Sequence, residues 1–125
     1  MRITRIWADE AGVSHFGELD IELEPVDFAP PAPPFDVSAP LAAERIMFLE
    51  FAAGWFGDWH PAPQRQLYFN LGGQLEVEVG DGEVRHFGPG DAALLEDLTG
   101  TGHTTRVIGE APSAGAFVQL REEHT

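Results

Sequence analysis

The sequence predicts an all-β fold, an antiparallel barrel or sandwich of about eight to ten short strands. Three observations support this prediction. Short runs that alternate apolar and polar residues recur along the chain, turn signals rich in Gly and Pro separate them at intervals of about 8 to 12 residues, and no segment has a convincing long helical pattern. The 125 residues correspond to one domain, and the absence of Cys excludes disulfides and thiolate chemistry.

The negative net charge of the chain disfavours some classes of binding partner. The chain carries 21 acidic residues against seven Arg and no Lys, a net charge of −14. Such a surface repels phosphate backbones and anionic lipids, so we expect neither nucleic acid nor a membrane as a partner. No apolar run approaches the roughly 20 residues needed to span a bilayer. The first residues lack the apolar run of a signal peptide, so a cytoplasmic location is expected.

Residues 1–40 are expected to form N-terminal strands followed by a Pro-rich arm. Residues 2–7 and 16–26 alternate as strands do, and the second run places Leu19, Ile21 and Leu23 on one face. Residues 28–40 are dense in proline, which a strand ladder does not tolerate, so we interpret them as a polyproline-like arm lying across the surface. A linker to a second domain is the alternative, but little chain precedes it.

Residues 41–120 are expected to form the core of the barrel. The composition of residues 41–51 favours a helix, but the apolar run at 46–51 between a Pro-rich arm and a Gly turn favours a buried strand, which is our interpretation. Residues 74–79 and 83–87 flank the turn Gly80-Asp81-Gly82 and predict a β-hairpin. Residues 92–95, 104–108 and 116–120 complete the set of predicted strands.

Residues 54–73 form the stretch most suited to carrying a site. Pro61 and Pro63 precede a run of strand-forming residues that ends on a Gly-Gly turn. If no bulge intervenes, one face of this strand carries the polar series His60, Ala62, Gln64, Gln66, Tyr68 and Asn70, and the other carries Trp59, Leu67, Phe69 and Leu71. One apolar face and one His-bearing face are typical of the wall of a barrel that binds a ligand, with Gln64, Asn70 and Trp59 expected at the pocket and Trp55 near its mouth.

The same stretch resembles the first motif of the cupins, small double-stranded β-helix barrels related to jelly rolls. Gly54, His60, Gln66 and Gly73 stand at the motif's spacings, although Gln66 replaces its Glu and Ala62 replaces its second His. The resemblance covers residues 41–120 and implies a single-domain cupin of the small bacterial type.

The second cupin motif is also recognisable. Gly90-Asp91 resembles its start, and His103 resembles its metal-binding His, two residues later than usual. Val107 stands at the position of the motif's final Asn. Because cupins hold a divalent ion through three His and one Glu, the resemblance implies a site made from His60, His103 and Gln66. Without the carboxylate, such a site favours Zn²⁺, Fe²⁺, Ni²⁺ or Cu²⁺ over Mg²⁺ and Ca²⁺.

The resemblance implies a small-molecule enzyme that acts inside the barrel, with isomerase, cyclase, lyase and dioxygenase chemistry all open. It also implies a homodimer, which the apolar outer face of residues 67–71 favours independently. Without an ion, His60 and His103 would serve as general acid and base, with Tyr68 as a further donor.

The alternative is a non-catalytic, metal-free module that binds a small organic ligand. An apolar cavity with both His hydrogen-bonded to protein groups would favour binding; a metal with open coordination would favour the enzyme.

Charged residues near the two motifs suggest further roles. Glu96 and Asp97 precede the His103 loop, where either could orient the imidazole, although solvated turn residues are the favoured interpretation. Arg65 and Arg106 are candidates for holding an anionic substrate. For Arg65 the strand alternation points away from the pocket and favours a salt bridge or an interface contact instead.

Overall fold

The computed structural model describes residues 1–122, which contain twelve strands and no helix. The strands are β1 (Arg2–Ala8), β2 (Ser14–Asp20), β3 (Glu24–Val26), β4 (Phe35–Val37), β5 (Ala43–Phe51), β6 (Phe56–His60), β7 (Gln66–Gly72), β8 (Gln74–Glu78), β9 (Val84–Phe87), β10 (Ala92–Glu96), β11 (His103–Ile108) and β12 (Ser113–Leu120). No helix suited to crossing a bilayer occurs in this part of the chain.

Two sheets form the body of the molecule. One has six strands in the order β2-β1-β10-β7-β12-β5, and the other has four in the order β6-β11-β8-β9. All neighbouring strands are antiparallel except β1 and β10, which are parallel. Buried side chains from both sheets form one hydrophobic core, so the sheets face each other as the layers of a jelly-roll barrel.

The first twenty residues belong to this core. β1 lies between β2 and β10 inside the six-stranded sheet, and it contributes Ile6, which is 1% exposed. Phe16 of β2 belongs to the same core cluster. The expected division into an N-terminal region and a core that starts at residue 41 therefore differs from the structure. The reason is the pairing of β1 with β10, which joins segments about ninety residues apart and leaves no local signal.

The Pro-rich segment differs from the predicted polyproline-like arm. β3 and β4 pair as an antiparallel hairpin, with Glu24 opposite Val37 and Val26 opposite Phe35. Most of the prolines lie in the connection between the two strands, where no ladder hydrogen bond is needed, and Pro25 lies in a strand that has one neighbour only. The predicted strand over residues 16–26 is accordingly two strands, β2 and β3, with a break between them.

The prediction of a strand over residues 41–51 is confirmed by β5, but its predicted burial is wrong. β5 is the last strand of the six-stranded sheet and, within residues 1–122, pairs only with β12. Ile46 and Phe48 are 58% and 77% exposed, respectively. The apolar run correctly identified a strand, but an apolar side chain can be exposed at a sheet edge, and sequence alone does not identify which strand is the edge.

The stretch over residues 54–73 consists of two strands in different sheets. β6 ends at His60 in the four-stranded sheet, and β7 begins at Gln66 in the six-stranded sheet. The five intervening residues break the alternation that was expected to put His60 and Asn70 on one face. Downstream, the predicted hairpin is confirmed by β8 and β9, and the last three predicted strands by β10, β11 and β12.

Candidate functional site

A cavity of about 620 Å³ lies between the two sheets and contains both motif histidines, His60 and His103, in its lining. Gln66, Gln119 and Thr105 add polar groups to the wall. The rest is mainly apolar, and its deeply buried part includes Ile6, Leu75, Val77, Phe87, Ala93 and Leu95. The volume and lining are typical of a pocket that encloses a small organic molecule.

The two imidazoles lie side by side because their strands are neighbours. β6 and β11 are antiparallel, and His60 is the direct cross-strand partner of His103. The ring centroids are 5.0 Å apart, with an angle of 49° between the ring planes. His60 is exposed at the rim of the cavity, whereas His103 is only 6% exposed. The pair thus runs from the solvent side of the barrel into its interior.

A buried carboxylate holds the ring of His103. Asp97 is fully buried, and its Oδ2 lies 2.6 Å from Nδ1 of His103. The other oxygen, Oδ1, is buried without a hydrogen-bond partner among the residues that the structure describes. His103 is therefore the side chain that satisfies this carboxylate. The favoured interpretation of Asp97 as a solvated turn residue is wrong, because the turn folds inward beneath the imidazole.

The other imidazole is held by its own strand. Nδ1 of His60 donates to the backbone carbonyl of Asp58 at 2.7 Å. A carbonyl oxygen and a carboxylate both accept hydrogen bonds, so the neutral form of each ring carries its proton on Nδ1. Nε2 is then the unprotonated nitrogen of both rings. Among residues 1–122, neither Nε2 atom has a protein hydrogen-bond partner, so both lone pairs are available at the cavity.

Gln66 also lies on the cavity wall, but its side chain is already engaged. Its Oε1 accepts a hydrogen bond from Nε2 of Gln119 at 3.2 Å, and Oε1 of Gln119 accepts one from Nε of Arg45 at 2.9 Å. Gln66 and Gln119 are cross-strand partners on β7 and β12 and are both buried. An amide oxygen has two lone pairs, so Gln66 keeps one acceptor position for a ligand.

Tyr68 contributes its ring to the cavity, while its hydroxyl is used elsewhere. The hydroxyl donates to Oδ1 of Asn70 at 3.4 Å, and Oγ of Ser113 donates to the same atom at 3.0 Å. Burial raises the pKa of Tyr68, which makes proton loss harder. Asn70 lies outside the cavity lining and bonds the carbonyls of Gly73 and Phe87. Tyr68 is thus placed as a wall residue and Asn70 as a structural connector.

The other two residues expected at the pocket lie outside its lining. Gln64 falls in the loop between β6 and β7, where its amide donates to Glu44 and to the carbonyl of Leu120. Trp59 is 43% exposed and precedes His60 on β6, so it points to the opposite face of that strand. Trp55 does line the cavity, and its ring is stacked on Phe51 with centroids 4.3 Å apart.

The charged candidates form pairs away from the cavity. Nε of Arg65 is 2.7 Å from Oε2 of Glu96, which confirms the salt bridge that strand alternation favoured, and Arg5 bonds the other oxygen of the same carboxylate. Arg106 lies over the ring of Phe56, with Cζ 4.7 Å from the centroid. Neither Arg65 nor Arg106 lines the cavity, so the structure does not place them as holders of a bound anion.

The sequence did not identify Gln119 as a cavity residue, and it did not favour Asp97 as the hydrogen-bond partner of His103. Gln119 reaches the site from a strand that follows Gln66 by about fifty residues, and only the pairing of β12 with β7 brings the two together. For Asp97, a signal was present in the chain. Two glycines between Asp97 and His103, Gly100 and Gly102, both have positive φ and let the loop turn back on itself.

The donor set at the cavity fits some divalent ions better than others. In residues 1–122, no cluster of three or more His, Cys, Asp or Glu side chains forms a metal-binding group. The two imidazoles nevertheless have the arrangement of metal-ligating histidines, in which the second ring nitrogen donates to a carboxylate or a backbone carbonyl. With Gln66 as a third donor, the set fits a transition ion that retains open positions, and it lacks the carboxylates that Mg²⁺ and Ca²⁺ prefer.

Comparison with solved structures identifies the architecture. A cupin 2 conserved barrel domain protein from Salinispora arenicola aligns over 81% of this chain and 76% of its own, with 20% identity and a TM-score of 0.51. The Cnp3 cupin domain of Schizosaccharomyces pombe aligns over 97% and 84%, with 12% identity and a TM-score of 0.53. A cupin domain from Bordetella pertussis aligns over 85% and 100%, with 12% identity and a TM-score of 0.50.

These similarities define the fold class. The chain has the cupin fold, and the predicted all-β jelly-roll barrel is confirmed. No family model and no curated protein matches the chain. At identities of 20% and below, the similarity concerns the fold alone.

Proposed function

We propose that this cupin-fold chain is a small-molecule enzyme whose reaction takes place at the His60–His103 end of the cavity. One observation carries the proposal: both imidazoles have Nδ1 bonded to a protein acceptor and Nε2 unengaged at the cavity. Fixing two rings in the same tautomer, 5.0 Å apart, prepares two nitrogen lone pairs for one bound species.

His60 and His103 would hold a divalent transition ion through Nε2, with Oε1 of Gln66 as a third donor. Zn²⁺, Fe²⁺, Ni²⁺ or Cu²⁺ bound there would polarise a substrate oxygen or activate water or O₂. Asp97 keeps the ring of His103 in position through the hydrogen bond at Nδ1. The carbonyl of Asp58 fixes the ring of His60, and the apolar wall holds the body of the substrate and excludes water.

A metal-free binding module is the second candidate. It is favoured by the apolar character of most of the lining and by the hydrogen bonds that both imidazoles make to protein groups. In that function, His60 and His103 accept hydrogen bonds from the ligand and no reaction follows. The two candidates share the cavity and differ in whether an ion is bound.

Elemental analysis separates the two candidates. Protein purified without an affinity tag or chelator is expected to retain about one transition ion per chain. His60→Ala and His103→Ala should each lose the ion, since each removes a nitrogen ligand. His86→Ala is the matched control, because His86 is exposed and lies outside the cavity.

Asp97→Asn tests the positioning role of the buried carboxylate. It should weaken binding of the ion by about tenfold or more while leaving both ligand nitrogens in place. Protein without an ion that also takes up none of Zn²⁺, Fe²⁺, Ni²⁺ and Cu²⁺ on titration would refute the metal centre and favour the binding module.

A further inference from the structure

The cavity lining carries no formal charge apart from the titratable imidazoles. Among the described residues, no Asp, Glu, Lys or Arg lines it. A ligand carboxylate or phosphate would therefore lose its hydration without meeting an Arg or Lys side chain, which is unfavourable. Asp97 behind His103 and the net charge of −14 disfavour an anion further. A ligand ammonium would likewise find no carboxylate in the lining.

Two aromatic pairs give the cavity flat walls. Phe51 and Trp55 are stacked at 4.3 Å with an interplanar angle of 20°, and Tyr68 and Phe117 lie at 5.1 Å. All four line the same space, together with Phe87. Aromatic faces pack best against another flat, apolar ring system. A sugar, whose several hydroxyls each need a partner, would leave most of them unpaired against this wall.

The polar end of the cavity offers two unengaged imidazole nitrogens to a hydrogen-bond donor of the ligand. In their neutral form, His60 and His103 present unprotonated Nε2 atoms, because Nδ1–H of His60 donates a hydrogen bond to the carbonyl of Asp58 and Nδ1–H of His103 donates one to the carboxylate of Asp97. A hydroxyl group can donate to such a nitrogen, whereas an ether or a methyl group of the same size cannot. The position of His60 at the exposed rim places this donor near the mouth, with the apolar body deeper in the barrel.

We infer that the cavity binds an uncharged aromatic molecule that carries a hydroxyl group, with the hydroxyl at His60 and His103 and the ring system against the aromatic walls. This inference rests on the proposal that the cavity is the functional site. It holds for either candidate function, since a phenolic oxygen is both a hydrogen-bond donor and a ligand for a transition ion. A volume of about 620 Å³ has room for a molecule of two or three fused rings.

The inference is tested with four probes of one shape. 2-Naphthol carries the hydroxyl, 2-methoxynaphthalene has the same ring without a donor, 2-naphthoate is an anion and 2-naphthylmethylamine is a cation at neutral pH. Metal-free protein is titrated with each probe by isothermal calorimetry. 2-Naphthol should bind about fivefold or more tightly than the methoxy compound, which corresponds to one hydrogen bond. The two charged probes should bind more weakly than either neutral one.

Variants assign the effect to the imidazoles. His60→Ala leaves the buried Asp97–His103 pair intact and should reduce the preference for 2-naphthol over 2-methoxynaphthalene, without weakening the methoxy compound. His86→Ala should retain the full preference. Equal affinity of the wild-type protein for 2-naphthol and 2-methoxynaphthalene, or tightest binding of a charged probe, would overturn the inferred ligand class.

The outcomes also separate this inference from the proposed function. Retention of an ion by His60 and His103, with no binding of either neutral probe, would refute the ligand class and leave the enzyme proposal standing. Selective binding of 2-naphthol by a protein that takes up no ion would refute the metal centre and support the ligand class.

Discussion

At the scale of single residues, His15 is a titratable group outside the cavity that bridges two carboxylates. Nδ1 lies 2.8 Å from Oδ2 of Asp81, and Nε2 lies 2.8 Å from Oδ2 of Asp9. The ring also lies 4.9 Å from that of Trp7. Both nitrogens face carboxylate acceptors, so the protonated ring, which donates from both, fits this place best. His15 thereby joins the turn after β1 to the turn after β8.

We predict that His15 makes stability depend on pH. The hydrogen bonds that His15 donates to Asp9 and Asp81 raise its pKa above the ordinary value of 6.5. The resulting stabilisation is complete below about pH 6.5 and is lost as the pH rises through the higher pKa of the folded protein. Urea unfolding at a series of pH values should therefore show a decline in stability above about pH 6.5 that is smaller in His15→Gln.

The carboxylates of Asp9 and Asp81 make the stability of the protein depend on pH at the acidic end of the range. The hydrogen bond from His15 lowers the pKa of Asp9, and the backbone N–H of Glu83 together with His15 lowers that of Asp81. Their stabilisation is present above their ordinary value of 3.8 and is lost as the pH falls through the lower pKa values of the folded protein. An identical pH dependence in the wild type and His15→Gln would show that the cluster does not contribute.

Single residues of the candidate site were predictable to different degrees. The resemblance to the two cupin motifs identified His60 and His103, two side chains that the fold then brings together. Spacing could not show that Asp97 is buried or that the Tyr68 hydroxyl turns to Asn70. Those facts depend on which polar groups find partners after the sheets have packed, and a linear sequence does not contain that information.

At the scale of elements, the site depends on close contact between the loops at the ends of β6 and β11. A methyl group in place of the Gly102 hydrogen would overlap the backbone carbonyl of His60. Gly102 also has a φ of +74°, which L-residues with side chains rarely adopt. The backbones that carry the two imidazoles therefore touch, and this contact fixes the spacing between the rings.

We predict that Gly102→Ala destabilises the protein more than Gly82→Ala. Gly82 has a φ of +94°, and a Cβ atom there would have no neighbour within 4 Å, so alanine meets only the backbone penalty of about 1–2 kcal/mol. Alanine at position 102 meets that penalty and also forces the two loops apart, adding about 1 kcal/mol or more. Urea unfolding of both variants measures the difference, and equal losses would contradict the importance of the contact.

The elements were predicted well where the signal is local. The hairpin of β8 and β9 follows from alternation around a Gly-Asp-Gly turn, and β5 follows from its apolar run. The division of residues 54–73 between two sheets was not predicted, because alternation was extended through Pro61 and Pro63 as if one strand continued. A break of five residues resets the direction of every following side chain.

At the scale of the whole molecule, an apolar surface extends over three strands of the six-stranded sheet. In the register, Phe48 lies opposite Ala116, which lies opposite Phe69. Ile46, Val118 and Leu67 form the next such row. Directly paired residues point to the same face, so the outer surface of residues 67–71 that was expected to need covering continues onto the edge strand β5.

We expect this face to be covered by a second copy of the chain in a homodimer. Phe48 is 77% exposed, and such contiguous apolar surface is unfavourable in water. Sedimentation velocity should give the mass of a dimer, and Ile46→Ser should shift the equilibrium toward the monomer, since Ile46 is 58% exposed on this face and lies outside the cavity lining. Val84→Ser is the matched control, since Val84 is 45% exposed on the opposite sheet.

The dependence of dimer formation on salt concentration is a second test of the predicted dimer. Each copy carries a net charge of −14, so the copies repel each other and the dimer should be tighter at higher NaCl concentration. A monomer at every protein and salt concentration would contradict the predicted dimer.

The hairpin of β3 and β4 stands apart from both sheets, and every residue from 22 to 36 is exposed. Its connecting loop lies outside the lining of the cavity and contains no residue of the hydrophobic core. A cysteine introduced at Ala32 would be the sole thiol of the chain. The hairpin therefore offers an attachment point for a fluorophore or for immobilisation on a sensor surface, with the barrel interior left free to report ligand binding.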